Sequence, residues 1–314
     1  LIDEAVGNGF LTTKVIEISG ASASGKSTLA LQLCIQCCCP FDVGGLEGKS
    51  LYISTDAKYS HDKLYQMIDA KLENLKTLSE SIKEKSLKKK LSSYNLDTFK
   101  ERVIIQAGVP SIEEFDAILN DIDKYCSLNE DIRMVCIDSV ASIYRGTDTS
   151  QSSFVNRAKK LCGVMRRLKR MAENYNLCII SVNQVSAVID ELNPFANMMG
   201  SQNKTRATLG LVWSNCLHAR IIMECKENSR MTASREFKPA IKRRKLNPDD
   251  DEVYYVDHEQ CASHKISMQK RELLVEFSSY ALTKPCVCKY MIDNRGLRGL
   301  EIVNEKEIAA GRER

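Results

Sequence analysis

The segment GASASGKS at residues 20–27 constrains the fold more than any other part of the chain, because two glycines and a lysine stand at fixed spacing. The β-branched run VIEIS (15–19) precedes it, and TLALQLCIQ (28–36) continues as a helix. Strand, loop and helix in this order are the context in which G-x-x-x-x-G-K-[ST] surrounds phosphates with backbone N–H groups. The sequence therefore predicts a nucleotide-binding α/β core.

The lysine and serine that close this motif carry its chemistry. Lys26 places a positive charge where the β- and γ-phosphates of a bound nucleotide lie, and Ser27 supplies a hydroxyl ligand for Mg²⁺. We therefore assign the loop and the start of the helix to the nucleotide. The assigned residues are Gly20, Ala21, Ser22, Ala23, Ser24, Gly25, Lys26, Ser27 and Thr28.

Polar side chains follow three further apolar runs. Asp56 follows SLYIST, Asp138 ends the run IRMVCID, and Gln184 lies in NLCIISVNQV. The carboxyl ends of parallel strands lie beside the first loop. We therefore predict Asp138 as a partner of Mg²⁺, Asp56 as the group that orients an attacking water, and Gln184 as a contact of the γ-phosphate or of a water. A cap or turn is the alternative for each. The loop indicates that a nucleotide binds but not which reaction the protein performs, so kinases, GTPases, motors and recombinases all remain possible classes.

Four segments carry a resemblance to a known family. GASASGKST, LYISTDAKYSHDKL, MVCIDSVASIYR and CIISVNQVSAVID, in this order and spacing, resemble the RecA-like core of eukaryotic homologous-recombination proteins. The chain is most similar to the recombinase paralogues, in the branch related to X-ray-cross-complementing protein three. TLGLVWSNCLHARI and DNRGLRG are similar to the late strands of that family, and only residues 226–270 fall outside the resemblance. It implies an α/β fold: a RecA-like P-loop core with a twisted, mostly parallel sheet flanked by helices.

The resemblance also implies roles for single residues. Lys26, Ser27 and Asp138 would bind Mg-ATP, and Gln184 would couple the γ-phosphate to DNA-facing loops. Asp56 stands where active recombinases place a catalytic glutamate. Aspartate is one methylene shorter, and a displacement of about 1 Å at a catalytic group can cost on the order of a hundredfold in rate. We therefore expect slow hydrolysis of ATP.

In the family, two loops face DNA, and they correspond to residues 145–160 and 186–210. Both segments are rich in small polar residues, as loops are. Aromatic platforms for stacking bases are scarce, with Phe154 and Phe195 available. A solvated surface is the alternative for each basic residue there. The candidates for DNA phosphates are Arg145, Arg157, Lys159, Lys204 and Arg206.

Thirteen cysteines, an odd number, indicate a reducing compartment. Cys34 and Cys37 form a C-x-x-C pair, but the second pair of a zinc site is missing. We interpret this pair, with Cys38 and Cys39, as apolar fillers of a helix packed on a sheet. A second conceivable metal cluster matches no standard ligand spacing. Its members are His258, Cys261, His264, Cys286 and Cys288.

Residues 226–270 differ from the rest, because they combine a basic run with an acidic one and lack sustained periodicity. We predict that they form a polar, disordered insertion in a RecA-like ATP-binding core of residues 1–225 and 271–314. Within the insertion, KRRK (242–245) resembles a nuclear import signal and predicts the nucleus. An ordinary solvated patch is the alternative.

The remaining composition excludes other classes. No apolar run reaches the roughly 18 to 20 residues that span a bilayer, so we expect a soluble protein with no membrane partner. The net charge of +4 is too small to indicate nucleic acid by itself. Because the chain begins at Leu1 and soon enters its first strand, we expect any N-terminal module to be absent from this sequence.

These expectations converge on a subunit that binds ATP and assists homologous recombination. Its expected partners are another recombinase paralogue, the main recombinase, and single-stranded or branched DNA. Two alternatives remain open: a competent DNA-dependent ATPase that exchanges strands itself, and a scaffold that holds ATP without hydrolysing it.

Overall fold

The β-branched segments of the sequence form the strands of an extended sheet. A computed structural model of the chain describes residues 1–7, 9–55, 61–109, 111–128, 131–144, 151–187, 205–207, 209–232, 267–280 and 286–304. Its strands are β1 Lys14–Gly20, β2 Lys49–Ser54, β3 Val103–Ala107, β4 Ile132–Asp138, β5 Cys178–Ala187, β6 Thr205–Ala207, β7 Ala219–Thr232, β8 Ser267–Ser278, β9 Cys286–Asp293 and β10 Gly296–Asn304. The order in the sheet is β10-β9-β8-β7-β1-β5-β4-β2-β3, and β6 pairs with β5.

Parallel pairing prevails in the part of the sheet that holds the predicted motif. β1 lies between β5 and β7 and runs parallel to both. β4 is parallel to β5 and β2, and β2 is parallel to β3. The carboxyl ends of these strands therefore meet at one edge, next to the loop that follows β1. Antiparallel pairing joins β8 to β9 and β9 to β10.

Helices connect the strands, and two of them begin at polar caps. The Ser111 hydroxyl accepts a hydrogen bond from the Glu114 N–H at 3.1 Å, and the Asn95 side chain accepts one from the Thr98 N–H at 2.8 Å. None of the helices in the described part of the chain is long and apolar enough to cross a membrane. The helices are α1 Ile2–Ala5, α2 Lys26–Cys37, α3 His61–Ser81, α4 Lys85–Ser92, α5 Leu96–Arg102, α6 Ile112–Ser127, α7 Val140–Ile143, α8 Gln151–Asn174 and α9 Gly210–Ser214, with a 3₁₀ turn at Phe41–Val43.

Both faces of the sheet are covered, as the alternation along β1 shows. Ile16 and Ile18 belong to a buried cluster that includes side chains of α2, α3 and α5. Val15 belongs to a second cluster, with side chains of α6, α8 and α9. Successive residues of a strand point to opposite faces, so one core lies on each side of the sheet. The prediction of an α/β fold with a mostly parallel sheet flanked by helices is confirmed.

The contacts within the chain divide it into two units. One comprises Leu1–Cys225 and Arg271–Arg314, and the other Lys226–Lys270. The described part of the second unit consists of the last residues of β7 and the first residues of β8. Residues 233–266, which include KRRK, lie outside the described residues. The predicted disorder is wrong for residues 226–232 and 267–270, because they extend β7 and β8. For residues 233–266 the disorder stays a prediction, as does the import signal.

Candidate nucleotide-binding site

The loop between β1 and α2 is shaped by its two glycines. β1 ends at Gly20 and α2 begins at Lys26. A Cβ at Gly20 would lie 2.1 Å from the carbonyl oxygen of Met223, so no larger residue fits there without a shift of the backbone. Gly25 has a φ of 101°, in the left-handed region, and a Cβ there would lie 2.4 Å from Cδ1 of Ile292. The sequence motif thus adopts the tight turn that its glycines predict.

Lys26 is folded back into this turn. Its side chain is buried, and its Nζ donates a hydrogen bond to the carbonyl oxygen of Ala21 at 2.6 Å. Burial lowers the pKa of the Lys26 ammonium from its usual value, while the negative charge of Asp138 opposes that shift. An anion bound in the turn would favour the charged form of this side chain in the same way.

The residues of the loop differ in exposure. Ala21, Ser22 and Ala23 are exposed, and Ser27, in the first turn of α2, is exposed as well. Ser24 is buried instead, and its Oγ has no hydrogen-bond partner among the described residues. The rim of the loop is therefore open to a ligand, whereas its inner side is part of the protein interior. Thr28, the third residue of α2, is half-buried.

Asp138 ends β4 and is held in place by hydrogen bonds on both its side chain and its backbone. The Tyr52 hydroxyl donates to Oδ2 of Asp138 at 2.6 Å. Burial, and then the nearby Asp138 charge, raise the pKa of Tyr52 far above its usual value, so Tyr52 remains a donor. The backbone carbonyl of Asp138 accepts from the N–H of Thr55 at 2.8 Å and from its hydroxyl at 3.2 Å. A fixed carboxylate beside Lys26 is suited to binding Mg²⁺.

Gln184 lies on the strand next to the loop. In the parallel pairing of β5 with β1, Gln184 is the partner of Gly20, the first residue of the motif. Its side chain is exposed. The structure thus brings Lys26, Asp138 and Gln184 to one edge of the sheet, and their assigned roles remain predictions.

Other predicted site residues are placed only in part. Asp56, Arg145 and Lys204 lie outside the described residues. Arg157 is half-buried on α8, next but one to the exposed Lys159. Arg206 lies on β6, where its backbone pairs with Ser186 of β5. The contact of these basic side chains with DNA stays a prediction.

The cysteines that follow the loop pack against the sheet, as the sequence predicts. Cys34, Cys37, Cys38 and Cys39 are buried free thiols. Burial raises the pKa of Cys38 to about 12 and that of Cys37 higher still, so neither is a thiolate at neutral pH. No group of three or more metal-binding side chains occurs among the described residues. His258, Cys261 and His264 lie outside them, and the side chain of Cys286 is also not described.

Sequence reasoning missed the support that the C-terminal strands give to the loop. The Tyr290 hydroxyl on β9 donates to the buried carbonyl oxygen of Ser24 at 2.6 Å. Gln32 of α2 accepts from the N–H of Leu297 at 2.7 Å and donates to its carbonyl at 3.1 Å. Lys63 of α3 donates to the carbonyl of Asp293 at 2.7 Å. The hairpin of β9 and β10 is therefore fastened to the loop, to α2 and to α3.

A buried charge network under the loop was also missed. Glu17, within VIEIS, is fully buried. Its Oε1 accepts from the side-chain amide of Asn183 at 2.6 Å and from the indole N–H of Trp213 at 2.9 Å. Its Oε2 accepts from Nε of Arg220, which is also buried. The available signal was a single carboxylate among β-branched residues in a strand covered on both faces, because a buried charge requires donors.

The fold and the site together define the chain as a P-loop protein with a RecA-like core. The family model described as Rad51 matches residues 1–121 and 83–233. The chain therefore belongs to the Rad51 family, and the resemblance to RecA-like recombinases is confirmed.

Individual relatives agree with this family. The chain is 26% identical to DNA repair protein XRCC3 of Mus musculus over 229 residues, which cover 71% of this chain and 61% of the mouse protein. It is 25% identical to the DNA repair protein XRCC3 homolog of Arabidopsis thaliana over 309 residues, 95% of this chain and 90% of the plant protein. It is also 25% identical to DNA repair protein RAD51 homolog 3 of Dictyostelium discoideum over 236 residues, 73% of this chain and 56% of that protein. The chain thus spans less than two thirds of the length of two of these relatives.

Proposed function

We propose that this chain is an ATP-binding recombinase paralogue that assists homologous recombination and the repair of DNA double-strand breaks. It forms a heteromeric complex with another recombinase paralogue and supports filaments of the main recombinase on single-stranded or branched DNA. One observation carries the proposal: in a Rad51-family chain, the phosphate-binding loop lies beside Lys26, Asp138 and Gln184 at one sheet edge. The names of the relatives as DNA repair proteins support the same conclusion.

The residues of the loop fit Mg-ATP. Gly20 has no room for a side chain beside the Met223 carbonyl oxygen, so the strand can pass close to β7 where it enters the loop. In a loop of this kind, main-chain N–H groups would surround the phosphates. Lys26 would contact the β- and γ-phosphates, and the exposed Ser27 and Asp138 would hold Mg²⁺. Bound Mg²⁺ would neutralise charge on the phosphate oxygens. The chain itself contributes the cradle, the fixed carboxylate and the ammonium.

Hydrolysis of ATP is expected to be slow, and its rate distinguishes the candidate activities from one another. Asp56 takes the place of the longer glutamate of active recombinases, and Gln184 contacts the γ-phosphate or its attacking water. A short carboxylate favours a paralogue that uses ATP to hold a complex together. The alternatives are a competent DNA-dependent ATPase that exchanges strands and a scaffold that never releases phosphate. Phosphate release with and without single-stranded DNA separates these three.

DNA contact is proposed for the segments 145–160 and 186–210. Within these segments, Arg157 lies on α8 and Arg206 lies on β6. Lysine and arginine bind the phosphate backbone without regard to sequence, so binding should weaken steeply with salt. Arg145 and Lys204 complete the proposed set.

The organisation of the chain completes the proposal. We propose that residues 1–225 and 271–314 form the ATP-binding core. Residues 226–270 are an insertion, disordered between the ends of β7 and β8, that carries the nuclear import signal KRRK. Deleting residues 230–268 should leave ATP binding intact, because this segment lacks the apolar content for a core of its own.

The test is affinity purification of the tagged chain from nuclei in Mg-ATP, followed by identification of the proteins that co-elute. Lys26→Ala is compared with Lys88→Ala, which removes an exposed lysine on α4. We expect the parent and Lys88→Ala to retain a recombinase paralogue and Lys26→Ala to lose most of it. A parent that elutes alone and hydrolyses ATP rapidly on DNA would instead support the independent enzyme.

A further inference from the structure

The carboxylate of Glu17 joins β1, the strand that leads into the phosphate-binding loop, to β5, α9 and β7. Glu17 lies three residues before Gly20 on β1. One of its oxygens is shared by Asn183 of β5, at 2.6 Å, and Trp213 of α9, at 2.9 Å. The other oxygen is paired with Arg220 of β7. Three elements that are distant in sequence therefore converge on one buried side chain.

Glu17 accepts hydrogen bonds from both β5 and α9, the elements on either side of the segment that connects them. Asn183 directly precedes Gln184, the partner of Gly20 across the sheet. On the other side, α9 is held at Trp213 by Glu17 and at Ser214 by Arg220, whose guanidinium donates to the Ser214 hydroxyl at 2.6 Å. A displacement of β5 at Asn183 is thus two hydrogen bonds away from α9.

The network is buried, charged and not saturated. Glu17 is fully buried and the side chain of Arg220 is 8% exposed, so breaking their pairing would leave a charge without a partner in a medium of low dielectric constant. Oδ1 of Asn183 and Oγ of Ser181, on the same strand, are buried without hydrogen-bond partners among the described residues. The Glu17–Arg220 ion pair must stay paired, while Oδ1 of Asn183 and Oγ of Ser181 could each form a new hydrogen bond. The network can therefore adopt a second arrangement of its hydrogen bonds.

We propose that Glu17 is a positioning residue that transmits the occupancy of the nucleotide site to helix α9. The proposal rests on ATP binding at the P-loop, as proposed above. A γ-phosphate that meets Gln184 displaces β5 at this residue, Asn183 moves with it, and Glu17 carries the displacement to Trp213. The coupling is reciprocal, so whatever holds α9 in its second position also strengthens binding of the triphosphate.

The chain contains a built-in probe for this coupling, because Trp213 is its single tryptophan and is fully buried. Its fluorescence is recorded while the full chain is titrated with a Mg-ATP analogue that resists hydrolysis, and separately with Mg-ADP. Equilibrium dialysis measures binding of both nucleotides independently. We expect a fluorescence change that saturates together with binding of the triphosphate, and a change several-fold smaller with ADP, which lacks the group that Gln184 meets. Binding of the triphosphate with silent fluorescence, or equal changes with both nucleotides, would overturn the coupling.

A variant and its control localise the path. Asn183→Leu keeps a side chain of similar size and removes the amide donor to Glu17. Glu276→Gln removes the charge of the half-exposed outer partner of Arg220 and leaves the path intact. We expect Asn183→Leu to retain saturable binding of the triphosphate, weakened by no more than the roughly 5- to 150-fold that a typical coupling energy represents, yet to lose most of the fluorescence change. Glu276→Gln should keep the change in full, and an undiminished change in Asn183→Leu would exclude the path.

Failure of the variant to fold and failure of the parent to bind nucleotide have different consequences for the proposal. If Asn183→Leu loses its cooperative thermal transition, Asn183→Ser takes its place, and the comparison of triphosphate with ADP in the parent decides the coupling in either case. If dialysis detects no saturable binding of either nucleotide by the parent, the proposed function fails, and the coupling that rests on it fails with it. Binding without a signal from Trp213 overturns the coupling alone.

Discussion

Gly20 has no room for a side chain, and Gly20→Ala tests how tightly the loop is set in the sheet. A Cβ at this position lies 2.1 Å from the carbonyl oxygen of Met223, which is its partner on β7. Such contacts stay above 3.0 Å, so the strands must separate by about 0.9 Å, the difference between the two distances. Overpacking of this kind lowers the free energy of unfolding by about 1–3 kcal/mol. The shift also displaces the first residue of the loop, and we expect the dissociation constant for ATP to rise about tenfold, or about 1.4 kcal/mol.

Gly163 provides the matched control. It lies within α8, and a Cβ there would meet nothing within 4 Å. Because alanine is the better helix former, Gly163→Ala should raise the free energy of unfolding by about 0.5–1 kcal/mol and leave ATP binding unchanged. Urea unfolding followed by circular dichroism gives the stability of both variants, and equilibrium dialysis gives the ATP affinity. If Gly20→Ala matches the parent in both measurements, the described approach of β7 to the loop is wrong.

Four further predictions follow from the site. Lys26→Ala removes the charge held in the loop, so ATP affinity in dialysis should fall at least about tenfold, and unchanged affinity would place the nucleotide elsewhere. Asp56→Glu restores the longer carboxylate and should raise DNA-stimulated phosphate release, whereas an Asp56→Ala rate equal to that of the parent would exclude Asp56 as the water-orienting group. Tyr290→Phe leaves the buried carbonyl of Ser24 without its donor and should lower the free energy of unfolding by about 1–3 kcal/mol in urea titrations, and an unchanged midpoint would show that this bond is dispensable. Burial lowers the pKa of His218, so the unfolded chain binds that proton more readily, and stability should fall as pH drops through roughly 6.5. Thermal melts of His218→Gln should lack that decline, and an identical pH profile would contradict the assignment.

The parts of the site that could be predicted are those fixed by local sequence. The turn from Gly20 to Lys26 depends on backbone freedom at two glycines and on the strand and helix that flank them, all within one short segment. Apolar runs that end in polar residues also predicted the strands that carry Asp138 and Gln184. The meeting of these residues at one edge followed from the general rule that parallel strands end on the same side of a sheet.

The parts that could not be predicted depend on residues far apart in the chain. Tyr290 and Ser24 are 266 positions apart, and their hydrogen bond requires a hairpin whose place in the sheet no local pattern specifies. The pairing of Glu17 with Arg220 spans 203 positions. A carboxylate in an apolar strand indicates that hydrogen-bond donors must lie nearby, but the order of the strands in the sheet determines which residues supply them.

The central claim is that ATP held by this chain supports recombinase filaments. The most direct measurement is the lifetime of filaments of the main recombinase on single-stranded DNA, with Mg-ATP and the complex that co-purifies with this chain. We predict that the parent complex prolongs the lifetime and that the Lys26→Ala complex, at equal concentration, does not. A lifetime that the parent leaves unchanged, or that both complexes prolong equally, would contradict the claim.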